Sequence, residues 1–182
     1  TACPLHGSRT DTVPGAGSEN PELVFTGDGP GAVEDRQGRP FAGPSGEVLN
    51  RLIAKMGFTR DTVWIGNIVK CRASVDYRMQ RDRPPTGDEM QACLPYLREQ
   101  LAILQPRVLV TLGGTALQGL FGLRGITRLR GQWLAFEDIP AMPTYHPSFL
   151  LRRQKEGDRQ PFWDVWQDMQ EVLKKLGRSL PG

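Results

Sequence analysis

With 182 residues, 38% of them hydrophobic and 24% charged, the chain has material for one domain with a sizeable core, at a net charge of only +3. No apolar run approaches the ~18 residues that a membrane helix needs, which excludes a helical membrane protein. Three cysteines, a small and odd number, exclude a disulfide-built scaffold and fit a reducing, cytoplasmic setting.

Residues 1–21 are rich in turn signals (Cys3-Pro4, Pro14-Gly15, Asn20-Pro21) and read as an irregular lead-in. A first strand is expected over 22–26. It feeds a glycine-rich loop, Thr26 to Phe41, in which Gly27, Gly29 and Gly31 let a ligand approach the backbone while Pro30 stiffens the turn. The loop matches neither G-x-G-x-x-G nor the Walker pattern, and Asp28 at its first turn argues against phosphate cradling. A helix follows from about Gly46, capped by Ser45, with Val48, Leu49, Leu52, Ile53 and Met56 on one face and Gly57 ending it.

The second strand, over 63–69, is almost wholly apolar, as a strand covered on both faces should be. Asn67 interrupts it, a residue that serves either core hydrogen bonding or ligand reading. Residues 73–85 read as an irregular basic loop. Thr86 and Glu89 form a capping box that starts a helix to about residue 105, which Pro95 is expected to kink or divide. A third strand over 107–112 is followed by Gly113-Gly114 and a short helix to about Phe121. Residues 131–136 read as a short strand in an antiparallel hairpin, and a fourth core strand runs over 141–145. It ends in His146-Pro147-Ser148-Phe149-Leu150-Leu151-Arg152, read as a surface loop, before a last amphipathic helix over 160–176.

Alternating strands and helices imply a single domain over 1–182, a three-layer α/β/α sandwich around a four-stranded, mainly parallel sheet. Ligands in such sheets lie beyond the carboxyl ends of the strands, where Asp28, Asn67 and His146 are expected to converge. Charge is unevenly spread. Residues 100–136 hold no carboxylate but Arg107, Arg124, Arg128 and Arg130, and residues 67–86 hold five basic residues against Asp76 and Asp82. Such segments serve a polyanion partner or a solvated face equally well.

Taken together, Gly27-Asp28-Gly29-Pro30-Gly31, the run Glu34 to Phe41, Gly66-Asn67-Ile68-Val69-Lys70-Cys71-Arg72 and Tyr145-His146-Pro147-Ser148 resemble the uracil-DNA glycosylase superfamily, and most closely its iron–sulfur family 4. The resemblance runs in order over essentially the whole chain. It implies excision of uracil from single- or double-stranded DNA by a monomeric bacterial or archaeal enzyme associated with the nucleoid. It also implies a [4Fe–4S] cluster held by Cys3, Cys71 and Cys93, with a fourth ligand expected just upstream of Thr1. In this reading Phe41 stacks on a flipped uracil, Asn67 reads its edge, His146 assists the departing base and Asp28 positions water or balances the positive sugar. Gly27, Gly29, Pro30, Gly31 and Ser148 belong to the substrate side. Leu150, in the trio before Arg152-Arg153, is expected to be an exposed wedge that fills the gap left by the extruded nucleotide, the alternative being a residue packed into the core.

Two departures from the family pattern stand out. Asp28 replaces the usual glutamate, and the insert Val75 to Arg83 is long yet lacks the histidine with which a related branch traps the sugar. Turnover is therefore expected. The competing readings are a uracil- or damaged-DNA binding protein with little turnover or covalent trapping, and a cluster-bearing electron-transfer module.

Overall fold

Strand β2 (Leu23–Gly27) is buried at every position because it lies near the middle of a six-stranded sheet with helices on both faces. The computed structural model describes residues 3–75 and 81–179. The sheet order is β1-β3-β2-β4-β6-β5, with β1 Ala16–Gly17, β3 Trp64–Asn67, β4 Val108–Leu112, β5 Leu134–Phe136 and β6 Ile139–Thr144. β3, β2, β4 and β6 run parallel and are the four expected core strands. The remaining two are antiparallel edges. β5 leads into β6 through the expected hairpin, while β1 arises in the lead-in, where two residues pair with Trp64 and Ile65. A two-residue strand has no periodicity to announce it.

Strand side chains alternate between two core layers, as a period of two requires. Leu23, Phe25, Ile65, Val110 and Met142 face α2 (Pro44–Lys55), α6 (Pro147–Lys155) and α7 (Gln160–Lys175). Val24, Trp64, Leu109 and Ala141 face α3 (Gly87–Leu104) and α4 (Gly114–Phe121). Each large side chain buried in this way stabilises the fold by roughly 1.5–3 kcal/mol. No helix among the described residues is long and apolar enough to cross a membrane.

Several expectations are corrected. α2 begins at Pro44 with Gly43 as its cap, so Ser45 lies inside the helix; proline at the first helical position has no N–H to lose. α3 is not divided at Pro95 but runs on across it. Both Pro95 and Gln91, whose carbonyl loses its partner, are exposed, so water can take the place of the missing bond. A short helix, α1 (Ala32–Gln37), forms inside the glycine-rich loop.

The largest correction concerns 147–155, which is helix α6 and not a loop: His146 is the N-cap, its ring accepting from Ser148 N–H, and Pro147 opens the first turn. Leu150 therefore turns inward and is only 2% exposed, packed in the core with α2 and α7, so it is no surface wedge. The basic segment 73–85 is partly a hairpin, with Ser74 bridging Asp82 and Val75 N–H donating to Arg81 O. Its residues 76–80, and everything before Cys3, lie outside the described residues.

Candidate active site

The carboxyl ends of β2, β3 and β6 open into one cleft of about 720 Å³. Asp28 enters it from the turn after β2, Asn67 from the last position of β3 and His146 from just beyond β6. The expected residues Gly29, Pro30, Gly31, Phe41 and Ser148 also line it. Gly27 lies behind the wall: a Cβ there would stand 2.6 Å from Asn67 Oδ1 and 2.8 Å from Phe41 Cζ. Only glycine lets the amide and the ring close over β2. Leu150 does not reach the cleft; its helix neighbours Phe149 and Arg152 do.

Asn67 is 1% exposed and its Oδ1 has no hydrogen-bond partner. Leaving such an acceptor unpaired costs about 1–3 kcal/mol, recovered when a donor arrives. Thr26 and Thr111 also keep unpaired hydroxyls, but these lie side by side within the sheet and not on the cleft. Below Asn67, Lys70 Nζ donates to the Asn67 carbonyl at 2.7 Å, and burial lowers the Lys70 pKa to about 8.

The His146 ring has one defined tautomer. Its Nδ1 accepts from Ser148 N–H at 3.1 Å and lies 2.8 Å from Ser148 Oγ, so the ring proton sits on Nε2. Nε2 faces the Asp28 carboxylate at 3.7 Å, with 23% of the histidine side chain still accessible. Burial depresses the His146 pKa below its ordinary value. Asp28 and Glu34 oppose that shift, while Arg152 adds to it. The imidazole is therefore neutral near pH 7. Its ring lies 5.6 Å from that of Phe41 at an interplanar angle of 32°. Beneath it, Gly113, at φ +95°, carries no Cβ that would press on His146.

Two residues that frame the cleft had no assigned role in the sequence reading. Glu34, 8% exposed, accepts from Gly31 N–H at 3.2 Å, Ala42 N–H at 2.9 Å and Gly43 N–H at 2.8 Å. It ties the glycine-rich turn to the segment that carries Phe41. Its place three residues after the α1 cap, Gly31, is the spacing of a capping box and could have marked it. Arg60 donates to Pro40 O at 2.5 Å and to Phe41 O and Asn50 Oδ1 at 2.9 Å each. These bonds hold Phe41 at φ 49°, a left-handed conformation that costs a non-glycine residue about 1–3 kcal/mol. Nothing in the sequence links Arg60 to Phe41.

Comparison with known proteins places the whole chain in a family. The family model of the uracil DNA glycosylase superfamily matches residues 14–170. The Type-4 uracil-DNA glycosylase of Thermotoga maritima is 40% identical over 97% of this chain and 91% of its own length. That of Archaeoglobus fulgidus is 37% identical over 83% of this chain and 77% of its own. A Type-5 uracil-DNA glycosylase from Pyrobaculum aerophilum is 29% identical over 76% of this chain and 66% of its own. With identity at that level along nearly its whole length, the chain belongs to the uracil-DNA glycosylase superfamily, within its type-4 branch.

Proposed function

We propose that the chain hydrolyses the N-glycosidic bond between uracil and deoxyribose in DNA, releasing uracil and leaving an abasic site. The observation that carries this reading is the unpaired Asn67 Oδ1, buried in the same cleft as the neutral His146 with its Nε2–H donor. Uracil presents an N3–H donor beside its O4 acceptor, and one side-chain amide satisfies both. Cytosine presents the reverse pattern, so the same amide would meet donor with donor and acceptor with acceptor. Phe41 supplies the face on which an extruded base stacks.

In the reaction the bond between C1′ and N1 breaks, and its electron pair stays with the base. His146 Nε2–H donates a hydrogen bond to the base oxygen where that charge gathers, an effect worth roughly 3 kcal/mol. A neutral imidazole suits this step because it does not repel the positive charge that develops on the sugar. Asp28 orients the water that attacks C1′, and the water's proton passes to the carboxylate or to solvent. A uracil-containing oligonucleotide, treated with the protein and then alkali, should yield strand scission on a gel. An intact strand would overturn the reading, and a denaturant-resistant adduct would point to covalent trapping instead.

Three thiols in one core layer are the donor chemistry that a [4Fe–4S] cluster takes, which supports the cluster as part of this reading. Cys71 and Cys93 are buried in the core layer of α3, Cys3 packs against it, and none of the three is in a disulfide. Burial first, then Cys3 and Cys71, push the Cys93 thiol up, so the sulfurs feel one another, and Arg9 donates to Cys71 Sγ at 3.0 Å. Among the described residues no three His, Cys, Asp or Glu side chains stand close enough for a single metal ion. A four-iron cluster is a larger body, and thiolates are its usual ligands. When bound, it would crosslink the lead-in, the segment after β3 and α3, with no part in the hydrolysis. Purified protein should be brown and contain iron.

A further inference from the structure

Helix α6 faces the cleft with Ser148, Phe149 and Arg152, and on another side its Leu150 reaches a second cavity of about 310 Å³ between α2 and α7. The floor of this slot is apolar: Val48 and Leu52 from α2, Leu150 from α6 and Val165 from α7. These four floor side chains offer no hydrogen-bonding group that could read the edge of a base or a sugar. At the rim stand Trp163, which is 60% exposed, and Trp166, with Arg51 and Lys55 as the charged groups and no carboxylate in the lining. A tryptophan left this open beside an apolar slot marks a surface made to be covered.

The charges at the rim identify what covers it. Lys55 Nζ lies 4.2 Å from the Trp166 ring centroid and 5.8 Å from that of Trp163, held by the rings and not by an acid. Neither Lys55 nor Arg51 forms an ion pair among the described residues. On α6, by contrast, Arg153 is engaged by both Asp158 and Glu156. Two cations without an acid partner, Arg51 and the ring-held Lys55, beside an apolar slot complement an acidic segment with an apolar anchor. We propose that the slot between α2, α6 and α7 docks an acidic peptide segment of a partner protein, with one large apolar side chain seated between Trp163, Trp166 and Leu150. The partner would then be held without occupying the catalytic cleft, and this inference does not depend on the reaction assigned there.

The test uses the whole chain and a fluorescein-labelled decapeptide with one phenylalanine between runs of aspartate, followed by fluorescence anisotropy. Binding is expected, weakened roughly tenfold or more by Trp163→Ala, by Lys55→Glu and by replacing the peptide's phenylalanine with alanine. Excision of uracil should be unchanged in both protein variants. Peptide binding that survives loss of the phenylalanine, or that neither variant weakens, would overturn the proposal. Oligothymidylate bound through Trp163 in place of the peptide would assign the slot to nucleic acid. A dimer in sedimentation that Trp163→Ala dissociates would assign it to a second copy of the chain. Both variants alter exposed side chains, and circular dichroism of each checks that the fold is retained.

Discussion

Two sets of polar groups meet around the glycine-rich turn, and the fold treats them in opposite ways. Glu34, Asp35 and Arg60 direct their charges at backbone groups: Glu34 takes three N–H donors, Asp35 takes Thr10 N–H, and Arg60 caps the carbonyls of Pro40 and Phe41. Asp28, Asn67 and His146 line the same cleft with bonding capacity left over: Asn67 Oδ1 has no partner, and His146 Nε2 meets only the Asp28 carboxylate, at 3.7 Å. The framing set is closed and the facing set is not. Buried polar atoms are normally paired, so the open set is where a ligand supplies the missing partners.

The sharpest way to separate the two sets is to remove a facing group. His146→Ala and Asn67→Ala should each slow single-turnover excision by roughly 10²–10³-fold while changing DNA affinity far less. His146→Ala also removes the ring that caps α6, so its stability should fall by about 0.5–2 kcal/mol, far too little to account for the lost rate. Excision at the parent rate in either variant would remove that residue from the mechanism.

Leu150 sharpens the contrast from the apolar side. As a core residue between α2 and α7, its truncation to alanine should cost about 3 kcal/mol of stability. Any loss of excision should then be equal on single- and double-stranded uracil DNA. A selective loss on the duplex, with stability unchanged, would restore the wedge that the sequence suggests.

That reversal shows what could be read without coordinates. The four parallel strands were legible because each is an apolar run buried on both faces, and their ends placed Asp28, Asn67 and His146 together. Helix α6 was not, because His146-Pro147-Ser148 looks like a turn when proline is taken only as a breaker. Proline at the first position of a helix is a start signal, and one turn later the same residues point Leu150 into the core. Arg60 was out of reach for another reason. Its bonds to Pro40 and Phe41 cross about twenty residues of chain, and they are made to backbone carbonyls, which carry no sequence signature.

Cutting the frame should give a mixed effect. Arg60→Ala leaves two carbonyls unpaired and releases the strained Phe41, so stability should fall by about 1–2 kcal/mol and excision several-fold. If Phe41 stacks on the base as proposed, the excision loss should appear mainly in KM, since its ring is misplaced while His146 and Asp28 remain. Arg60→Lys, which can reach one carbonyl, should recover part of it. A pure loss of kcat with KM unchanged would mean that Arg60 acts on the chemistry and not through Phe41.

The smallest effects are the most direct probe of the open set, because they report the charge state of His146 itself. Its pKa is lowered in the folded protein, first by burial and then by Arg152, against the pull of Asp28 and Glu34. Below the ordinary value of 6.5 the unfolded chain therefore takes up a proton that the folded chain refuses. His146's contribution to stability is complete above 6.5 and is lost as pH falls through the folded pKa. With only two histidines in the chain, His146 and the exposed His6, an NMR titration can follow the ring directly. Its midpoint should lie below 6.5. Asp28→Asn removes an opposing negative charge and should move the midpoint lower still, while Arg152→Ala should move it up. The acid limb of excision should follow the same midpoint, because protonating Nδ1 breaks its bond from Ser148 N–H and turns the ring out of line. A midpoint above 6.5, or one indifferent to Asp28, would show that the carboxylate and the imidazole are not coupled across the cleft, and the division between framing and facing groups would fail at its centre.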